Sequence, residues 1–259
     1  MLKKYLSQHL IKDRNILEKI VRLSGVGSHD IVVEIGAGQG DLTECLCERA
    51  GFVYAIEIDR TFSRHLEPLM ERHSNLRVIF GDFLDTQLID FYNFTENKKI
   101  KVFGNIPYKI TAPIIFKIIY ERDVVDSMFL TVQREIGERI ASCPANKAYG
   151  ALSVICQLIA DIKILMRLKP SIFVPPPKVD SVFFSMVFKK DYHDIPDGLL
   201  RFIRLCFENR RKYLKNTLMR HYSPEEITGL YRAMGLPHKI RAEEIEPKRF
   251  KEIYRFLHG

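Results

Sequence analysis

Three groups of residues could do chemistry, and each stands where an apolar run ends. The run Ile31-Val32-Val33-Glu34-Ile35 gives way to Gly36-Ala37-Gly38-Gln39-Gly40. Glycines there let the backbone pass close to a ligand and turn sharply into a helix. The spacing is not Gly-x-Gly-x-x-Gly and no Lys-Ser/Thr follows, which excludes a phosphate-cradling P-loop. Glu57 closes the next apolar run, 21 residues after Gly36, where a carboxylate can accept both hydroxyls of a ribose. Asp82 closes the third; it can accept from an adenine amino group or cap a helix. Gly36, Gly38, Glu57 and Asp82 together point to a nucleoside-containing cofactor, and a strand-two acid suits NAD and S-adenosylmethionine alike. The third group is Asn105-Ile106-Pro107-Tyr108, which ends a fourth run with an amide, a constrained carbonyl and a phenol ring.

Such groups need a scaffold that gathers strand ends. Residues 30–35, 51–59, 76–85 and 100–103 read as strands, residues 41–50, 60–73 and 111–121 as helices, and residues 127–136 as a strand turning into a helix. Strands alternating with helices predict a parallel sheet with crossover helices, and open sheets of this kind bind ligands at the carboxyl ends of their strands. Residues 168–190 hold a Pro-rich corner and an alternating run that suits an antiparallel strand near the end of the sheet. After Asp191 only amphipathic, helix-spaced segments follow. The expected fold is therefore an α/β, Rossmann-like domain over residues 1–190 with a small all-α domain over residues 191–259.

The chain of 259 residues is 46% hydrophobic, enough for a sizeable core, and no apolar run reaches the roughly 18 residues of a membrane span. Residues 1–15 contain no apolar signal-peptide core, so a cytoplasmic protein is expected. Five cysteines, an odd count, and eight histidines without metal-ligand spacing predict reduced structural thiols and no metal. The net charge is +8, and residues 190–259 hold 15 Lys and Arg against 10 Asp and Glu. Arg210, Arg211, Lys212, Lys215 and Arg220 cluster over three expected helical turns, as either a solvated face or a grip on a polyanion. Lys3, Lys4, Lys12 and Arg14 are expected to extend that patch.

Asn105-Ile106-Pro107-Tyr108 resembles the (N/D/S)-P-P-(Y/F) motif of methyltransferases acting on exocyclic amino groups, and the Glu34-to-Gly40 loop resembles motif I of S-adenosylmethionine-dependent methyltransferases. The resemblance implies S-adenosylmethionine as cofactor and an adenine N6 as target. That nitrogen's lone pair is delocalised into the ring. Acceptors on both N6–H bonds, the Asn105 side-chain oxygen and the carbonyl of Ile106 or Pro107, favour a pyramidal nitrogen that can attack. Tyr108 can stack on a base taken out of its helix, and alignment supplies most of the catalysis.

The likeness continues along the chain. "SQHLIKD" at 7–13, "EIGAGQGDLT", "GNIPY", "VQREI", "KAYGALSV", "FVPPPKVDS" and "NRRKYLKNTL" match, in order, segments of the rRNA adenine N6-dimethyltransferases, and the late "RAEEI" resembles their small-subunit, KsgA-type branch. The family implies that His9 and Ile11 contact the cofactor and that the basic cluster binds rRNA. It places Phe173 near the target base, although anchoring the Pro corner would serve as well. The implied reaction is dimethylation of two adjacent adenosines in the 3′-terminal hairpin loop of 16S rRNA, in an immature 30S subunit; a monomer is the default expectation. Ser7 and His9 depart from the family's Gly and Asn. Two other readings are an Erm-type 23S rRNA methyltransferase and a non-catalytic assembly or transcription factor relative.

Overall fold

The computed structural model describes residues 9–93, 98–107, 110–191, 195–209 and 212–259. Tyr108, Arg210 and Arg211 lie outside the described residues, as does Ser7. The chain divides into two compact units, Met1–Gly137 with Lys163–Phe188, and Glu138–Ile162 with Lys189–Gly259.

The first unit is built on a sheet. Its strands are β2 (Ile31–Ile35), β3 (Phe52–Glu57), β4 (Leu76–Phe80), β5 (Ile100–Asn105), β6 (Val125–Gln133), β7 (Ala160–Leu168) and β9 (Ser181–Phe188), in the spatial order β4-β3-β2-β5-β6-β9-β7. Two further short strands, β1 (Leu10–Ile11) and β8 (Phe173–Val174), pair antiparallel away from it. The four pairs from β4 to β6 are parallel. Val32, Val33, Val53, Ala55, Val102 and Phe103 are completely buried, as expected of strands covered on both faces. Helices α1 (Arg14–Ser24), α2 (Asp41–Cys47) and α3 (Ser63–Arg72) contribute Leu17, Ile20, Leu46, Leu66 and Leu69 to one core cluster with these strands. Each such side chain stabilises the fold by about 1.5–3 kcal/mol. α4 (Thr111–Tyr120) buries Ile114, Ile115, Ile118 and Ile119.

The register lines up the chemistry. Ile35 stands opposite Ile56 and Gly104, Glu57 opposite Phe80, and Asn105 opposite Thr131. Glu57, Asp82 and Asn105 therefore emerge at one edge, where the parallel strands end. β9 runs antiparallel to β6, as its alternating sequence predicts. β7 is not foreseen in the sequence. It follows a helix without a turn, and much of it is exposed, so no clean alternation marks it.

The second unit contains α6 (Ala151–Ile159), α7 (Asp197–Cys206), α8 (Leu214–Leu218), α9 (Pro224–Met234) and α10 (Pro247–His258); α5 (Arg134–Ile140) runs from one unit into the other. The Tyr149 hydroxyl, fully buried, donates to the Ile245 carbonyl at 2.8 Å. The Tyr149 ring meets Phe207 edge-on, and Phe207 packs on Phe250. Among the described residues of the expected basic helix, residues 207–209 form a turn and Leu214–Leu218 the five-residue α8. The described cysteines are all free, four of them buried, and burial pushes Cys47 and Cys156 up to about 12, which keeps both thiols protonated and inert.

Candidate active site

A cavity of about 290 Å³ opens in the first unit at the strand ends. The glycine loop forms its floor. Gly36, Gly38 and Gly40 all have positive φ, at 73°, 56° and 87°. A Cβ on Gly38 would come within 2.8 Å of Leu10 Cδ2, so both backbone conformation and space demand glycine there. The N-terminal segment covers this loop. The Lys12 ammonium donates to Asp41 at 2.6 Å and also to Gln39. Arg14 pairs with Glu18 at 2.9 Å and Glu48 at 2.5 Å. Both cations are paired within the fold, and both remain partly exposed; Lys3 and Lys4 lie outside the described residues.

The acids line the cavity walls. Glu57 is 2% exposed, and its two oxygens accept the N–H groups of Gly38 and Asp59, each at 2.8 Å. Burial raises its pKa, and these two bonds oppose the rise. Glu57 thus shapes the glycine loop while facing the cavity. Asp82 Oδ1 accepts the Leu84 N–H at 2.9 Å and caps the turn Phe83–Asp85; the residue also lines the cavity. Glu34 carries no role in the sequence reading beyond its place in the loop motif. It is buried, accepts the Thr43 hydroxyl at 2.6 Å, and is pushed up to about 7 by burial and by the nearby Glu57 and Asp41 carboxylates, against the Thr43 bond. An acid inside an otherwise β-branched buried strand was the available signal. Asp41 is the fourth carboxylate on the walls.

Asn105 ends β5 and lines the same cavity, with Ile106, Pro107 and Thr131 beside it. Its amide N–H donates to the His9 carbonyl at 2.5 Å, which leaves Oδ1 as an acceptor. The Pro107 carbonyl accepts the Ile110 N–H at 3.1 Å. His9 and Ile11 line the cavity too, and the His9 ring donates from Nδ1 to the Pro175 carbonyl at 2.7 Å. The structure thus brings together His9, Ile11, Gly36, Gly38, Glu57, Asp82, Asn105 and Pro107. Phe173 stands apart. It is 2% exposed, stands opposite Ile11 in the β1–β8 pair and belongs to the core cluster, so its ring is buried in this structure. Lys212, Lys215 and Arg220 lie in the second unit, Lys212 and Arg220 exposed and Lys215 half-buried.

Among the described residues no three His, Cys, Asp or Glu side chains form a metal-binding group, and no helix is long and apolar enough to cross a membrane.

Structural neighbours share this architecture. A dimethyladenosine transferase from Plasmodium falciparum superposes with a TM-score of 0.82 at 28% identity, over 95% of this chain and 96% of that one. The 23S rRNA methyltransferase ErmE shares the fold, with a TM-score of 0.73 at 21% identity over 96% of this chain and all of that one. The fold is that of the Rossmann-like S-adenosylmethionine-dependent methyltransferases. The profile of the family described as ribosomal RNA adenine dimethylase matches residues 1–258. Proteins named ribosomal RNA small subunit methyltransferase A are similar throughout: that of Ureaplasma urealyticum serovar 10 is 34% identical over 98% of this chain and 92% of its own length, and that of Chlorobaculum parvum 36% identical over 98% and 89%. The chain belongs to the ribosomal RNA adenine dimethylase family, and it is an rRNA adenine dimethyltransferase.

Proposed function

We propose that this enzyme uses S-adenosylmethionine to dimethylate N6 of two adjacent adenosines in the 3′-terminal hairpin loop of 16S rRNA, acting in the cytoplasm as a monomer on an immature 30S subunit. The observation that carries the reading is the lining of the cavity: four carboxylates, Glu34, Asp41, Glu57 and Asp82, the Asn105 acceptor, and no Lys or Arg among the described lining residues. A dinucleotide would bring a pyrophosphate to the glycine loop, where Asp41 and Glu44 open α2 and would repel it. S-adenosylmethionine brings an ammonium, a sulfonium, a ribose diol and an adenine amino group, all of which suit carboxylates.

When bound, the cofactor supplies a methyl group on a sulfonium, a leaving group good enough that no strong general base is needed. The protein's own residues bind and align. Glu57 accepts the ribose hydroxyls, Asp82 the adenine amino group, and Glu34 faces the ammonium. Asn105 Oδ1, held by the His9 anchor, accepts one N6–H of the target. The Ile106 carbonyl accepts the other; Pro107, whose carbonyl already serves Ile110, is the less suited of the two. Tyr108, on the strength of the family motif, stacks on the base. Residues 1–190 serve as the catalytic part, and residues 191–259 grip rRNA through Arg210, Arg211, Lys212, Lys215 and Arg220. The small-subunit target rests on the names of the relatives, against the 23S target of the more distant ErmE.

Labelled methyl transfer tests the substrate directly. Immature 30S particles should be methylated, and 50S particles and naked rRNA should not; methylation of 50S alone would reject the small-subunit assignment. Asp82→Ala and Glu57→Ala should each weaken cofactor binding by about 1–3 kcal/mol and leave RNA binding intact. Glu57→Ala should also lower the melting temperature, because it unpins Gly38. Unchanged cofactor affinity in both variants, measured by calorimetry, would reject the pocket. Replacing Lys212, Lys215 and Arg220 with Ala should flatten the salt dependence of rRNA binding by about 0.7–0.9 slope units per lost phosphate contact; an unmoved slope would make these residues a solvated surface.

A further inference from the structure

Helix α4 connects two walls of the cavity. Ile110, at its N-cap, and Ile114 line the cavity, and Lys117 and Glu121 follow on the same stripe at helical spacing. The Lys117 ammonium donates to the Thr86 carbonyl at 2.5 Å and pairs with Glu121. The other Glu121 oxygen accepts the Leu88 N–H at 2.6 Å. The ammonium also lies 5.7 Å from the centroid of the Phe83 ring. This is an enclosed pair, with side chains 11% and 23% exposed.

The segment it holds begins at Asp82 and Phe83, both on the cavity wall. Local bonds shape that segment: Asp82 accepts from Leu84 at 2.9 Å, and the Thr86 hydroxyl donates to the Phe83 carbonyl at 2.7 Å. Lys117 and Glu121 tie it to a different element, the helix that leaves the Asn105 loop. The wall bearing Asp82 and the wall bearing Asn105 are thus joined through one helix and one ion pair.

We infer that Lys117 and Glu121 form a positioning pair that sets the spacing of these two walls and thereby the affinity for the adenosine end of the cofactor. The inference rests on the reading of Asp82 as the adenine acceptor. Removing one partner of an enclosed pair leaves the other charge uncompensated and lets its surroundings shift. Asp82 then moves relative to Asn105, while the groups that meet the target base stay where they are.

Calorimetry with adenosine and with S-adenosylmethionine tests this. Lys117→Met should weaken both by about tenfold, with kcat at saturating cofactor and rRNA affinity within about twofold of wild type, since the segment the pair holds bears Asp82 and none of the groups assigned to the target base. Glu121→Gln keeps one acceptor oxygen, removes the charge, and sets its amide NH2 against either the Leu88 N–H or the Lys117 ammonium, and should lose about threefold in affinity or more. The split between KM and kcat separates positioning from a fold staple, which would lower the melting temperature and leave affinity per folded molecule unchanged. Folded variants at both positions that bind adenosine like wild type, while Asp82→Ala binds it poorly, would overturn the positioning pair alone. Wild-type adenosine binding by Asp82→Ala would instead overturn the adenine assignment beneath it.

Discussion

Asn105→Ala is expected to slow methyl transfer by about 10²–10³-fold at saturating cofactor and rRNA, the loss seen when one preorganised hydrogen-bonding group is removed from a developing charge. The amide does two things in the structure. Its N–H fastens the His9 carbonyl, and its oxygen is left to accept from the target nitrogen. Alanine removes both, so cofactor affinity should fall modestly as the N-terminal segment loses its anchor, and the chemical step should fall far more. Asn105→Asp separates the roles: it keeps an acceptor but sets a carboxylate against the His9 carbonyl, and should lose cofactor affinity while retaining more of the chemical rate than alanine. Single-turnover rates and melting temperatures on the same preparations decide the matter. Rapid methylation by a well-folded Asn105→Ala enzyme would reject Asn105 as the acceptor; slow turnover explained entirely by a lowered melting temperature would make it a strand cap.

Glu34→Gln should stabilise the cofactor-free protein at pH 8 and weaken its hold on the cofactor. Buried Glu34 is pushed up to about 7 from 4.5, so between those values the folded chain binds a proton that the unfolded chain has released. Stability is therefore highest below pH 4.5, falls as pH rises to about 7, and is flat above, a loss of about 3 kcal/mol from this group. Glu57, shifted in the same direction, adds to the slope. Gln can still accept from Thr43, does not titrate, and should raise the melting temperature at pH 8 by about 4 °C or more. Cofactor binding runs the other way. The ammonium favours ionised Glu34, so wild-type affinity should climb as pH passes 7, and the Gln variant should lack that climb. Identical pH profiles of melting temperature in the two proteins would show that Glu34 is not the buried acid described here.

Much of this was readable from residue types because chemistry and scaffold coincide at strand ends. Each of Ile35, Glu57, Phe80 and Asn105 ends a strand, and apolar runs punctuated by Gly, Asp or Asn announce that arrangement without coordinates. Contacts distant in sequence were not readable. Glu34 looked like an interruption in a strand until Thr43 and Glu57 were seen around it. Lys12 and Arg14 read as surplus charge because, Glu18 apart, their acidic partners lie on α2 and at its C-terminal end. Phe173 is an aromatic in a specific motif, yet nothing in the motif says that its side chain is buried in the core cluster. Residues 138–162 group with the C-terminal helices, a packing that no change in local composition marks.

The pairing of β1 with β8 also fixes when the enzyme becomes competent during its own synthesis. His9 must wait for Pro175, 166 residues later, before its ring and the Leu10–Ile11 strand find their partners. At about 5–20 residues per second this is a delay of about 8–33 s, during which β2 to β6 and the glycine loop can already form. The floor and walls of the cavity therefore precede its cover, and a nascent chain can expose the cofactor site before it can close it.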